Sequence, residues 1–478
     1  MDRNHQILSV LWIISISFIT VLGYAPEHLN ADILMNSVMS VQHLTLFYWG
    51  QNRLLNVLPF LVSFISDPAA NLYSVLIVSS IVYNASIFAV SKSIVRVLGG
   101  SASDAALHFV LLSSFSVIVF KRNFLAEMAI GHIEYSLAFL LVAGAIYCEW
   151  FCNKDLWIKR GLPLILIFIA MGVNPSVLAL NLIVLVLIFL YNRKVDSHAI
   201  AVIAFTIFSF VAWILISKSF GPVEDYSKFN PVMISEGVGK VIGKFIGVIR
   251  WEIVFASLCL WFVWRFRILI SEGSLERRSF RLEEFIVFGA LLFFLIWLLL
   301  FSANKWVRIN QFSLRYFIFA VYASLVVVGI GIMGFLRRES VLIRYTVVCL
   351  FAISAVVVAY RKPVGLLEYG MFKNLKRFGV ESKGLYAGDY WVAWPAVYKE
   401  LMMGKVAYGL AYRGEGNRNR VNEYVQNEVS RTGSFRVCCI NDTQEACAWQ
   451  VSNTIGPVSI KSVEYKQDGV TEIVFIKK

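Results

Sequence analysis

The feature that most constrains this chain is a succession of apolar runs near the length that spans a bilayer. About 20 helical residues, rising 1.5 Å each, cross a hydrocarbon core of ~30 Å. Runs of this kind lie at 6–24, 70–91, 105–120, 133–151, 161–174, 176–191, 198–218, 247–270, 284–303, 316–335 and 341–360. Eleven crossings put the two termini on opposite sides of a membrane. Hydrophobic residues make up 58% and charged residues 16% of the chain, a balance that no soluble domain of this size can bury. The net charge of +13 does not signal nucleic acid, because few residues are charged and 37 are Phe. A basic excess in a membrane protein belongs to loops facing the anionic leaflet. The first run has no A-x-A cleavage pattern and reads as a retained signal-anchor helix.

Loop charges give the orientation. With the N-terminus inside, the cytoplasmic loops hold Lys92, Arg96, Lys154, Lys159, Arg160, Arg193, Lys194, Arg265, Arg267, Arg277, Arg278, Arg281, Arg337 and Arg338, a positive-inside pattern. The run Leu54 to Ile65 is too short to cross and is placed at the outer surface as an interfacial or re-entrant segment. Asn174-Pro175 divides 161–191 into two short halves, either a tight hairpin or one kinked helix. Beyond Tyr360 charges, glycines and turn residues enter, and Ser434 to Ile440 and Thr471 to Ile476 alternate like strands. The expected division is a membrane domain over 1–360, with a first outer loop at 25–69, and an outer α/β domain over 361–478. Cys438, Cys439 and Cys447 fall in the latter, and an oxidising compartment permits a bridge from Cys447 to either of the others; reduced, buried thiols are the alternative. Asn441-Asp442-Thr443 fits a glycosylation sequon, a pattern common by chance.

The outer connections carry the chemistry. In the first, Ile33, Leu34, Val38, Val41 and Leu44 recur at helical spacing, which predicts an amphipathic helix along the outer surface within 30–47. It is either a structural lid or a platform where Asp32 takes a proton from a sugar hydroxyl while Arg53, in Trp49-Gly50-Gln51-Asn52-Arg53, pairs with a lipid phosphate. The second connection holds Lys121, Arg122, Asn123, Glu127 and His132, with Glu134 just inside the next helix. This set suits a salt-bridged cap, a phosphate site, or a divalent cation bridging to phosphate. His132 by itself lacks paired ligand spacing for a metal. Lys305, Arg308 and Arg315 add cationic charge on the same face, and an arginine at the depth of Arg315 needs an ion partner or a ligand. With Arg53 and Arg122 they form an outward-facing site for an anionic headgroup.

Asp32, the Trp49 to Arg53 run, Arg122-Asn123-Phe124 with Glu127, and Tyr386-Ala387-Gly388-Asp389-Tyr390-Trp391 with Trp394-Pro395 carry a resemblance. With eleven spans and an outer C-terminal domain, the chain resembles the GT-C class of membrane glycosyltransferases, and within it the phage-type serotype-converting O-antigen glucosyltransferases of the Gtr family. The resemblance implies a multi-pass protein of the bacterial inner membrane with its C-terminal domain in the periplasm. It implies inverting transfer of a hexose, glucose in that family, from undecaprenyl phosphate to O-antigen glycan of lipopolysaccharide. A flippase and a polyprenyl-phosphate glucosyltransferase would act upstream. Asp32 takes the position of the first-loop acid as the base, with Glu27 in reserve. Arg53, Arg122, Lys121 and Arg315 would face the donor phosphate, with Gln51, Asn52, Asn123, Glu127 and His132 nearby. Asp389, Tyr390, Trp391 and Trp394, with Tyr408, Tyr412 and Arg413, suit acceptor recognition, although a small-domain core accounts for most of these aromatics. The loop lacks the adjacent acidic pair of many GT-C enzymes, which leaves a requirement for Mg or Mn open. A polysaccharide flippase or other transporter and an O-antigen polymerase are the competing readings. The absence of a convincing internal repeat and the modest central outer loop, Phe220 to Phe245, count against them.

Overall fold

The computed structural model describes residues 3–51, 54–151, 157–192, 197–221, 229–252, 254, 282–375, 384–414, 416, 418–465 and 469–478. Among these, seven helices are long and apolar enough to cross a bilayer: Asn4–His28, Pro68–Val97, Ala102–Val119, Ile200–Ser219, Leu282–Ser302, Leu314–Arg338 and Val341–Ala359. Arg122–Gly131 and Ile133–Glu149 meet at 66° as a bent pair, an eighth and broken crossing if both halves belong to one span and a re-entrant loop otherwise. The chain is therefore a multi-pass membrane protein.

Three expected spans are not among these helices. The 161–191 stretch forms two separate helices, Leu162–Val173 of 12 residues and Val177–Asn192 of 16 residues, divided at Asn174-Pro175. Trp213 closes over Gly172, where a Cβ would meet its ring at 2.5 Å, and its indole donates to the Phe168 carbonyl. Residues 247–248 end a different element, the amphipathic helix Ile234–Val248, which buries Gly237 and Val241 and exposes Lys240 and Lys244. Ile249 is extended and bridges Phe120, and most of the expected 247–270 span lies outside the described residues.

Between the first two crossings, α1 (Arg3–His28) and α4 (Pro68–Val97), the chain forms α2 (Ala31–Gln42) and α3 (Val57–Val62). Asn30 caps α2 by accepting from the Ile33 amide at 3.1 Å. The helix expected along the surface is present but buried. Ile33, Leu34, Met35, Val38 and Met39 are all enclosed, because α4 covers one side and the helix Tyr390–Met402 the other. In the short run after it, Phe60 and Leu61 of α3 and Phe64 just beyond it are exposed as an apolar edge.

The C-terminal part is a five-stranded mixed sheet in the order β2-β1-β3-β5-β4, formed by Leu385–Gly388 (β1), Tyr408–Gly409 (β2), Phe435–Ile440 (β3), Val458–Tyr465 (β4) and Val470–Lys477 (β5). Strands β1, β2 and β3 run parallel, and β5 pairs antiparallel with β3 and β4. Alternation along β3 decides the cysteine pairing, since successive side chains face opposite sides of a strand. Val437 and Cys439 join the core under the helix Gln444–Ile455, where Cys439 bonds Cys447 across a Cα separation of 6.0 Å. Cys438 and Ile440 face the other way, into the core shared with the helix Tyr390–Met402 and the membrane bundle.

That shared core docks the sheet on the first loop. Trp49 and Trp394 lie 5.9 Å apart, the Gln42 amide donates to the Ala407 carbonyl at 2.6 Å, and the Tyr398 hydroxyl donates to the Pro68 carbonyl. Gly50 has φ +78°, and a Cβ there would come within 3.1 Å of Tyr412 Cβ and 3.4 Å of the Arg413 amide nitrogen. Glycine alone permits this close approach without strain, and it seats Arg413 beside the start of α2.

Candidate functional site

Asp32 stands in the first turn of α2, where exposed amides favour a negative charge. Its two carboxylate oxygens are divided among three partners. Oδ1 accepts from the Tyr390 hydroxyl at 2.7 Å. Oδ2 faces Arg413 Nη1 at 3.2 Å and Arg315 Nη1 at 3.7 Å. Tyr48 approaches within 3.2 Å of the Tyr390 hydroxyl and donates to the Asp32 carbonyl at 3.2 Å. Burial foremost, and then the Asp32 charge, push both tyrosine hydroxyls well above their ordinary value, so they remain proton donors.

Arg315 is delivered by a tight turn in which Gln311 and Phe312 adopt φ +54° and +53°. Such values are uncommon for side-chain-bearing residues and cluster at functional sites. Its second guanidinium nitrogen donates to Asn310 Oδ1 at 3.1 Å and to the Tyr316 hydroxyl at 3.0 Å. Across from it, the bent pair carries a π-helical turn, Glu127–Gly131, ended by His132 in a non-helical conformation. Ser313 donates to Glu127 at 3.0 Å, and His132 lies 3.1 Å from Glu134 and 3.9 Å from Glu127. Inserted turns of this kind frequently mark functional positions.

Asp32, His132, Arg315 and Arg413, with Gly131, line two adjoining cavities. One is amphipathic and narrow, about 100 Å³, and runs past Tyr48 and Gln51 to Leu54, Leu55, Leu58, Pro59, Val173 and Trp306. Leu58 and Pro59 belong to α3, whose outer side is the exposed apolar edge. The other, about 380 Å³, falls within the ~300–1,000 Å³ of small-molecule sites. Its remaining lining is nearly all polar: His28, Asn30, Asn123, Glu127, Asn310 and Ser313, with Trp391 and Ala126. The charged cluster thus forms the partition between an amphipathic and a polar-walled chamber.

The structure brings together Asp32, Arg315, Gln51, Asn123, Glu127, His132, Tyr390 and Trp391 of the sequence candidates. Others stand apart. Glu27 is exposed at the end of α1 beside His28 and lines neither chamber. Lys121 is exposed, its amide bonded to the Val248 carbonyl, and neither it nor Arg122 lines a chamber. Asp389 caps the helix Tyr390–Met402, accepting from the Trp391 amide at 2.8 Å. Trp394 is wholly buried, with its indole donating to the Ala411 carbonyl, so it packs the core and faces no ligand. Asn52 and Arg53 lie outside the described residues. Arg413, grouped in the sequence with sugar-facing aromatics, is in the structure an ion partner of the acid.

Among the described residues no group of three or more His, Cys, Asp or Glu is placed to hold a metal ion. At Asp32 itself a divalent cation would sit beside two guanidinium groups, a donor set that repels it. The site's chemistry is that of one carboxylate and two guanidinium groups converging between the two cavities.

No protein-family model and no curated protein matches the chain. Among solved structures it is similar to the crystal structure of ArnT from Cupriavidus metallidurans bound to undecaprenyl phosphate, with a TM-score of 0.48 and 10% identity over 99% of this chain and 98% of that one.

Proposed function

We propose that this protein is a membrane glycosyltransferase that moves a sugar from a polyprenyl-phosphate carrier to a glycan hydroxyl. The observation that carries the reading is the partition itself: one carboxylate and two guanidinium groups shared by an amphipathic chamber and a polar one. The amphipathic chamber, lined in part by Leu58 and Pro59 of α3, suits a lipid-linked donor. The polar chamber, with its carboxamides and the exposed ring of Trp391, suits an acceptor sugar.

In this reading Asp32 takes the proton of the acceptor hydroxyl as that oxygen bonds to the anomeric carbon. The bond from that carbon to the phosphate oxygen breaks on the opposite face, which inverts the configuration. The electron pair leaves on the phosphate, and Arg315 and Arg413 stabilise the charge as it develops. Tyr390, held neutral, fixes the carboxylate without competing for the proton.

The finer assignment is a hexose, glucose by the family resemblance, passed from undecaprenyl phosphate to O-antigen glycan on the periplasmic face of a bacterial inner membrane. The experiment is mass analysis of O-antigen from cells with and without the chain. An increment of one hexose per repeat, lost in Asp32→Asn, is the expected result. Unchanged glycan in a host that supplies the lipid-linked donor would overturn the assignment, and altered glycan export without altered composition would favour a transporter.

A further inference from the structure

The two arginines beside Asp32 are not held alike. Arg315 is anchored by Asn310 and the Tyr316 hydroxyl as well as by the acid. Arg413 has Asp32 as its single hydrogen-bonding partner among the described residues. Its guanidinium otherwise rests on two rings, 4.6 Å from the centroid of Tyr390 and 4.5 Å from that of Trp391. A guanidinium on an aromatic surface can shift laterally while keeping its cation–π contacts, whereas one fixed by directional bonds cannot. Arg413 also lines both chambers, so a phosphate arriving in the amphipathic one comes within its reach.

While both arginines face Oδ2 and Tyr390 occupies Oδ1, both carboxylate oxygens are engaged and their reach toward an acceptor hydroxyl is restricted. A phosphate competes for Arg413 because a guanidinium can pair with it bidentately, whereas Arg413 meets Asp32 through Nη1 alone. We infer that Arg413 passes from Asp32 to the donor phosphate, so that the base is released only after the donor is seated. The C-terminal domain, which supplies Arg413, Tyr390 and Trp391, thereby imposes donor-first order and keeps the acid occupied when no donor is present. This rests on the glycosyltransferase reading above.

The test uses the full chain in lipid nanodiscs, with undecaprenyl phosphate and uncharged undecaprenol as probes. Because Arg413 lies on Trp391, its shift across that ring should change tryptophan emission with the phosphate but not with the alcohol, and Trp391→Phe should abolish that change. Loss of a hydrogen bond to a charged group corresponds to roughly 10- to 100-fold, so Arg413→Gln should weaken undecaprenyl phosphate binding by about that factor. Arg413→Lys should restore little, lacking the planar stack, and unchanged thermal melting of both variants would show that they fold. In the transfer assay, undecaprenyl phosphate should inhibit competitively against donor and non-competitively against acceptor. If wild type binds undecaprenyl phosphate and Arg413→Gln binds it equally well, or if emission responds equally to the alcohol, the hand-over is wrong while the glycosyltransferase reading stands. If wild type binds no undecaprenyl phosphate, that reading falls too.

Discussion

Replacing Asp32 by Asn separates the two roles assigned to the partition. Asparagine keeps the shape and can still accept from Tyr390, whose hydroxyl lies 2.7 Å from Oδ1. It cannot take up the acceptor proton, and a lost general base costs ~10²- to 10⁴-fold in rate, roughly 3–5.5 kcal/mol of barrier. The same change removes the anion that occupies Arg413 at 3.2 Å and Arg315 at 3.7 Å. A hydrogen bond to a charged group contributes about 1.5–3 kcal/mol, so freeing one guanidinium should tighten lipid phosphate by up to roughly 10- to 100-fold. The assay is transfer of radiolabelled hexose from undecaprenyl phosphate in nanodiscs, with undecaprenyl phosphate binding measured separately. A kcat reduced by two or more orders of magnitude, together with donor binding as tight as wild type or tighter, is expected. Retention of kcat within about threefold would refute Asp32 as the base, and donor affinity lost in parallel with rate would show that the variant had disrupted the site as a whole.

Other perturbations test the supporting geometry. Gly50→Ala places a Cβ at φ +78° against Tyr412, which should destabilise by ~1–2 kcal/mol and weaken donor binding through Arg413; normal melting and normal binding would contradict the close approach. Glu127→Gln, in the polar chamber, should raise the KM for acceptor while leaving undecaprenyl phosphate affinity unchanged, and the reverse pattern would exchange the chambers. Tyr48, Tyr390 and Tyr412 are pushed above the usual tyrosine value chiefly by burial, whereas in the unfolded chain they ionise near 10. Because the folded values are the higher ones, the stabilisation is complete below pH ~10 and declines above it, so melting temperature should hold to about pH 10 and then fall. Reduction of Cys439–Cys447, or Cys447→Ser, should expose the helix Gln444–Ile455 to limited proteolysis, with a stability loss on the order of 2–4 kcal/mol.

How far the sequence carried the account depends on the range of the signal. Apolar runs and the change of composition after Tyr360 are local, and they locate most of the crossings and the alternating strands β3 and β5. The helical spacing over 30–47 likewise marks α2. Its burial was not legible, because the element that covers it, the helix Tyr390–Met402, lies more than 300 positions away in sequence. At 247 hydropathy ran two elements together, since the amphipathic helix Ile234–Val248 and the Phe120–Ile249 bridge precede the rest of that run, most of which lies outside the described residues. At the site, Arg315 stood out because an arginine at the entry to a span is costly unless paired, and Asp32 because it stands near the start of the polar first loop. Their partners did not. The Arg413–Asp32 pair joins residues 381 positions apart, and no periodicity reports such a contact. Trp394 shows the opposite error, where an aromatic beside Tyr390 and Trp391 suggested a sugar platform but turns inward, bonded to Ala411. The one legible clue was Gly50, a glycine within an otherwise bulky loop, which turned out to mark the approach of Tyr412 and Arg413.

The most direct measurement is a cryo-electron-microscopy structure of the full chain with undecaprenyl phosphate bound in nanodiscs. The account predicts the phosphate within hydrogen-bonding distance of Arg315 and Arg413, the prenyl chain running through the amphipathic chamber past Leu58 and Pro59, and Asp32 freed from Arg413. A phosphate bound elsewhere, with the Asp32–Arg413 pair intact, would contradict it.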